Sequence, residues 1–333
     1  MSGPKNLITD VPGLFVGNAH DARLASGVTV ALLENPAAVS CAVLGGAPGS
    51  RESALFEPEM MVPSVDALVL SGGSAFGLDA ASGVQAWLRE RGRGFAVGPA
   101  RVPLVGQAIV FDLLNGGDKD WGRYPPYRDL GYAAAEAAGL DFALGTAGGG
   151  LGATTVNLKG GLGSASAVTP SGFWVGALAV VNAITAATMG DGPHFWAAPY
   201  EHGAEFGGIG LPSRITPEMQ RLQWKGLQQP GSTVAIVATD ARLDKAMAKR
   251  LALAAHGGLH KALRFAHALT DGDTVFAVAT GRAVQAVAVR EMVEIGGAAA
   301  DCLARAVARG VYEATTLPCA PAHPAWRDRF APA

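Results

Sequence analysis

Residues 230–243 read PGSTVAIVATDARL. A Pro-Gly turn is followed by an apolar run, Val234 to Thr239, rich in β-branched side chains and closed by the polar pair Thr239-Asp240. That pattern predicts a short buried strand. The amphipathic stretch from Leu243 to His256 follows as a predicted helix that stops at Gly257-Gly258. Upstream, Asp191 to Gly231 carries Pro193, Pro199, Pro212, Pro217 and Pro230 with many glycines, and reads as irregular connecting chain. A serine after Pro-Gly at a strand start is by itself ordinary turn chemistry. A loose segment running into a strand is nevertheless what cutting the chain before Ser232 would require. An ordinary surface loop between two strands is the alternative.

Outward from this stretch, Gly27–Leu33, Ala67–Leu70 and Thr274–Thr280 have strand length, while Ala80–Arg91 and Asp129–Ala138 read as helices. Ala283–Val311 is a long apolar helix expected to break or bend at Gly296-Gly297. Strands and helices mix throughout, and 45 glycines imply tight turns and close backbone approaches, so the expected class is a layered α/β protein. With 333 residues, 49% hydrophobic and 16% charged, the chain can bury a large core.

A net charge of -2 with 26 scattered Lys and Arg excludes the basic footprint of a nucleic-acid binder and points to a small-molecule partner. Cys41, Cys302 and Cys319 show no CxxC spacing, so reduced, buried thiols are expected rather than disulfides or a zinc site. The amino-terminal segment has no signal-peptide core and no apolar stretch is long enough to cross a bilayer, which predicts a soluble protein with a cytoplasmic address.

Three familiar motifs fail on inspection. Ser71–Gly83, SGGSAFGLDAASG, follows a strand and opens a helix, yet it lacks both the GK[ST] ending and the GxGxxG spacing, and reads as a tight strand-to-helix turn. His256 and His260 have the i, i+4 spacing of zinc ligands, but HGGLH has no glutamate, and its paired glycines cost about 2 kcal/mol of helix propensity. No GxSxG elbow is present. Two polar features stand out instead. Asn182 lies in the apolar run GALAVVNAITA, where an unpaired amide would cost a few kcal/mol, so it either donates to an oxyanion or is satisfied structurally. Asp271 and Asp273 flank Gly272 just before a strand, so alternation sends both to one face; a simple DGD turn is the other reading.

The chain resembles the family of L-aminopeptidase/D-amidase/esterases, β-peptidyl aminopeptidases and 6-aminohexanoate-oligomer (nylon oligomer) hydrolases. The resemblance is carried by ITDVPGLFVGNAH (8–20), GGAPGSRES (45–53), VLSGGSAFGLDAASGVQAWL (69–88), VPLVGQAIVFDL (102–113), KGGLGSAS (159–166), VGALAVVNA (175–183), STVAIVATDARL (232–243) and DGDTVFAVATG (271–281), which span nearly the whole chain in family order. It implies a four-layer αββα sandwich like that of amino-terminal-nucleophile hydrolases. It implies one catalytic domain, 1–333, that cuts itself between Gly231 and Ser232 into fragments 1–231 and 232–333. Many relatives have asparagine where Gly231 stands.

The roles implied are Ser232 as nucleophile, Asn182 as oxyanion donor, Asp271 and Asp273 as groups that orient and tune the nucleophile, and Lys159 as a nearby cation. Where some relatives have a tyrosine, Phe111 lacks the hydroxyl. A serine hydroxyl needs a base, and the free α-amine of an amino-terminal serine, with a pKa of about 7.7–8.0, is one at neutral pH. The implied activity is hydrolysis of small amides or peptides bearing a free amine, with no metal or organic cofactor, by a homotetramer of two-fragment units. An acyltransferase of the ornithine acetyltransferase type and an uncleaved small-molecule-binding protein are the competing readings. Trp174, Phe195 and Trp196 are candidate pocket aromatics.

Overall fold

A computed structural model describes residues 2–319 and 323–330. Strand β1 (Leu14–Asp21) runs antiparallel along the first half of β2 (Ser26–Val43), a strand of 18 residues. Side chains alternate along β2: Val28, Val30 and Leu32 face an outer layer, while Ala31 and Leu33 face an interior. Glu34, Asn35 and Pro36 are exposed, and the pairing register shifts between Leu32 and Ala37. Such a bulge bends a strand and tolerates proline, which donates no ladder hydrogen bond. Beyond the bend, Val39 and Cys41 return to the same interior from a second sheet. One strand therefore belongs to two sheets.

The first sheet is completed by β3 (Ser50–Arg51), β4 (Val65–Ser71) and β7 (Val105–Ile109), in the order β3-β7-β4-β2-β1. Strands β5 (Phe95–Val97) and β6 (Ala100–Val102) form a separate hairpin. The second sheet runs β2-β11-β10-β9-β8, with β8 (Gly161–Val168), β9 (Trp174–Asn182), β10 (Ser232–Thr239) and β11 (Thr274–Ala279).

Leu178, Val180, Val234, Ile236, Phe276 and Val278 meet Leu14, Val16, Leu68 and Leu70 between the sheets. Each fully buried side chain of this kind contributes about 1.5–3 kcal/mol. Short α1 (Ser74–Gly77) leads into α2 (Ala80–Glu90), which with α3 (Tyr127–Glu136) covers the outer face of the first sheet. After one turn of α4 (Pro217–Gln220), helices α5 (Lys245–Ala255), α6 (Gly257–Ala262) and α7 (Val289–Tyr312) cover the outer face of the second sheet, and α8 (Trp326–Phe330) packs at the end of α7. The result is the four-layer αββα sandwich expected from the resemblance. Among the described residues, no helix is long and apolar enough to cross a membrane.

Two local expectations fail. The first β2 run continues to Val43, because PAAVSCAV keeps alternating after the bulge. Nor is α7 broken at Gly296-Gly297; Ile295, Ala299, Leu303 and Val307 form one buried stripe across them. In both places tertiary burial outweighs local propensity, which is worth only about 1 kcal/mol per residue. The helix expected to stop at the paired glycines does so: α5 ends at Ala255, and a separate α6 begins at Gly257, burying Leu259 and Ala262 with Leu303.

A fully buried Arg305 on α7 fastens the outer elements. Its guanidinium donates to both Glu205 oxygens (2.6 and 2.9 Å), the Ser166 carbonyl (2.9 Å), Asn6 Oδ1 (2.7 Å) and Ser2 Oγ (3.0 Å). Burial opposes the charge on Glu205, but the bonds to Arg305 hold its carboxyl below the usual glutamate range. Replacing Arg305 by leucine leaves the buried Glu205 carboxylate with only the more distant Arg309 (3.8 Å) as an opposing charge, beside Asn6 and the His202 N–H, and is expected to cost about 3 kcal/mol. Urea unfolding monitored by circular dichroism measures it; a loss under 1 kcal/mol would show that the pair contributes no net stability.

Candidate active site

Strand pairing brings the polar residues together. Ser232, only 4% exposed, begins β10. On one side β9 is antiparallel, with Ser232 opposite Asn182 at its far end. On the other, β11 is parallel and starts level with Val234, so Asp271, Gly272 and Asp273 run beside the start of β10, and Gly231 bridges to Asp271. One strand must end where the other two begin.

At the Gly231–Ser232 peptide, Ser232 Oγ donates to the Gly231 carbonyl oxygen at 2.5 Å, and the Gly272 N–H donates to the same oxygen at 3.1 Å. Both glycines are required by space. A Cβ on Gly272 would lie 2.5 Å from Ser232 Oγ, and one on Gly231 would lie 2.4 Å from Ile184 N and 2.6 Å from Asp271 Oδ1. An asparagine in place of Gly231 would have to displace the backbone at Ile184.

The two aspartates occupy different environments. Asp273 is fully bonded: Oδ1 accepts from Thr233 N at 2.7 Å, while Oδ2 faces both His267 N (2.9 Å) and His267 Nδ1 (3.0 Å). His267 has a left-handed backbone, φ 65°, uncommon outside glycine, which lets its main chain and ring converge on one oxygen. The buried Oδ1 of Asp271 has no hydrogen-bond partner. Burial, and then the neighbouring Asp273 carboxylate, push the Asp271 carboxyl up to about 8. Near neutral pH the site therefore holds one carboxyl able to give a proton beside one accepting donated bonds.

Asn182 and two lysines complete the wall. Asn182 Nδ2 donates to the Phe111 carbonyl at 3.0 Å, and Oδ1 accepts from Thr154 N at 3.0 Å and Lys225 Nζ at 3.2 Å. Lys159 is buried rather than solvated. Its ammonium donates to the carbonyls of Gly150, Ala153 and Gly160 at 2.8–3.0 Å, and burial pushes it down to about 7.

The family model described as Peptidase family S58 matches residues 6–324. The chain belongs to peptidase family S58. It is 43% identical to an uncharacterized aminopeptidase of Mycobacterium tuberculosis, over 98% of each chain. It is 28% identical to a 6-aminohexanoate-oligomer endohydrolase of a Kocuria species, over 84% of this chain and 76% of that one. The L-aminopeptidase D-Ala-esterase/amidase of Ochrobactrum anthropi, whose structure is described as a variant of the Ntn hydrolase fold, superposes with a TM-score of 0.71 at 21% identity, covering 96% of this chain and 90% of that one. That likeness establishes the fold. As a family S58 member the chain is a hydrolase acting on peptide and amide bonds, which sets aside the non-catalytic binding reading.

Ser232, Gly231, Asn182, Asp271 and Asp273 meet at one place. Lys159 lies at the edge, and none of its hydrogen bonds goes to Ser232. Beside the Gly231–Ser232 peptide, a small pocket is lined by Phe111, Asp112, Thr154, Lys225, Pro230 and His323 among others. The proposed aromatics are not among its lining residues. Phe195 stacks on Trp326 in the core, Trp174 begins β9 at the end away from Asn182, and Trp196 lies by Arg264. The Ser71–Gly83 turn directs the Gly73 N–H onto Asp112 Oδ1 at 2.7 Å.

His256 and His260 pack edge-on against the His267 ring, each 4.7 Å away, and burial lowers His256 to about 4. Among the described residues, no three His, Cys, Asp or Glu side chains are placed to hold a metal ion. Sequence reading missed Lys225, His267, Asp112 and His323, because each is a single polar residue outside any spaced motif. Gly272 alone carried a signal, standing between two aspartates.

The raised Asp271 carboxyl has a consequence for stability. An acid whose folded pKa lies above its unfolded value binds its proton more tightly when native, so stability falls as pH rises from about 4 to 8. In a Ser232→Ala background, Asp271→Asn is expected to match the parent near pH 4 and to exceed it by something on the order of 5 kcal/mol at pH 8. Urea titrations at the two pH values test this; a constant difference between the proteins would refute the raised pKa.

Proposed function

We propose that this family S58 hydrolase is made as a precursor, cuts itself between Gly231 and Ser232, and then uses the new amino-terminal Ser232 to hydrolyse small amides or peptides that carry a free amine. The observation that carries the reading is the shared carbonyl: the Gly231 oxygen receives both Ser232 Oγ and Gly272 N–H. In the cut, Ser232 Oγ bonds to the Gly231 carbonyl carbon through a five-membered ring, and Gly272 N–H steadies the oxyanion. The C–N bond then breaks, the Ser232 nitrogen takes a proton, and an ester remains. Water opens that ester to a Gly231 carboxylate and a free serine amine.

Asp271, whose backbone is bridged to Gly231 and whose carboxyl keeps its proton near neutrality, gives that proton to the departing nitrogen and regains the one that Ser232 Oγ releases on attack, so the step involves no net proton gain or loss. Asp273 holds the start of β10 by accepting from Thr233 N. In the mature enzyme the α-amine takes the Oγ proton as substrate is attacked. Asn182 becomes an oxyanion donor once its amide turns from the Phe111 carbonyl. Relatives described as an aminopeptidase and as a 6-aminohexanoate-oligomer endohydrolase support an amine-bearing substrate. We also read the enzyme as a cytoplasmic homotetramer. Exposed Val284, Val289 and Val293 supply apolar surface that association would cover.

Intact mass under denaturing conditions is expected to show fragments 1–231 and 232–333 for the native chain and one uncut chain for Ser232→Ala. Gly272→Ala, which pushes a methyl into Ser232 Oγ, is expected to slow the cut about 100-fold, the scale of an ångström's misplacement of a reacting group. An uncut native chain after prolonged incubation rules out self-processing.

A further inference from the structure

The connecting segment brings a lysine into the site. Lys225 Nζ donates to the Thr154 carbonyl at 2.8 Å, Asn182 Oδ1 at 3.2 Å and the Asn182 carbonyl at 3.4 Å. Three oxygens match the three donors of a primary ammonium. The ammonium lies deep, although the residue as a whole keeps some surface. The oxygens belong to the body of the fold: the end of β9, opposite Ser232, and the chain before β8. Lys225 instead belongs to the segment that precedes the scissile bond by six residues.

That segment is lightly held. Its main chain is tied at Lys225 N to the Ile184 carbonyl (3.0 Å), and Leu222, Trp224 and Leu227 around it are 50%, 48% and 78% exposed. A cut at Gly231 frees the downstream end of the segment. Asn182 Oδ1 also accepts from Thr154 N, so withdrawal of Lys225 removes one N–H donor from each of these acceptors next to the nucleophile, which favours refilling by another cation with N–H groups.

We infer that these oxygens form an ammonium subsite, which in the cut enzyme takes the free primary amine of the substrate whose carbonyl faces Ser232, and that Lys225 is a built-in competitor for it. This inference rests on the reading of Ser232 as nucleophile. It adds the reason a free amine is required: an N-acylated substrate presents no ammonium and leaves the oxygens unpaired.

Calorimetry on uncut proteins separates the two ideas, because it requires neither cleavage nor turnover. Ser232→Ala is compared with Ser232→Ala/Lys225→Met and Ser232→Ala/Lys225→Gln, using n-butylammonium, alaninamide and N-acetylalaninamide as probes; the second pair guards against misfolding of the first. The amines are expected to bind the Lys225 variants at least about tenfold more tightly than the parent, the parent's weakness reflecting an occupied site. The acetylated probe is expected to bind none of them. Equal amine affinity with and without Lys225, or equal binding of the acetylated probe, overturns the subsite, whatever the mass measurement says about self-cleavage. In enzyme that has cut itself, Lys225→Met should lower KM for an amino-acid anilide and not for its N-acetylated counterpart.

Discussion

The hydrogen-bonded ladder of β10, antiparallel to β9 and parallel to β11, sets the position of every polar group around Ser232. A strand paired antiparallel meets its neighbour's end where it begins, and a strand paired parallel meets its neighbour's beginning. Asn182 and the Asp271–Asp273 turn thus arrive at Ser232 from opposite sides without any loop having to reach across. The ladder is stiff because its side chains are buried on both faces, against the other sheet and against α5 and α7. Placing the reacting peptide at the end of such a ladder holds it to the tolerance that bond-making needs.

Burial then differentiates groups of the same type. Asp271 and Asp273 are two residues apart, yet one has an oxygen with no donor and the other has donors on both. The first keeps its proton to about pH 8. Both lysines are likewise pushed down to about 7 by burial. Lys159 spans carbonyls of the loop before β8, whereas Lys225 spans oxygens next to the nucleophile, so one lysine braces the wall and the other fills a site.

Under the proposed self-cleavage, the pocket of the intact chain is shaped in part by the segment that would leave. Pro230 and Lys225 are part of its lining, and Asn182 is engaged at both ends of its amide. On that same proposal, the intact chain holds the Gly231–Ser232 bond in place while Asn182 and Lys225 satisfy one another internally.

Much of this was present in the sequence. The strand after Gly231 and the two aspartates before β11 follow from alternation and turn chemistry, which depend on neighbours a few residues away. The full-length motif order pointed to the layered sandwich, and the run holding Asn182 marked a polar group where an apolar one was due. Sequence did not show that PAAVSCAV continues β2 into a second sheet, that Gly296-Gly297 lies inside one helix, or that Phe195 is core rather than pocket. Each of those depends on burial against partners over a hundred residues away for Phe195 and on whole faces of packing for the others. Lys225, His267 and Gly272 owe their parts to distances of about 3 Å between segments far apart in the chain or at its turns. The local pattern determined which elements form and which residue types carry chemistry; only tertiary packing decided which oxygens face which protons, because hydrogen bonding and charge burial are properties of assembled space.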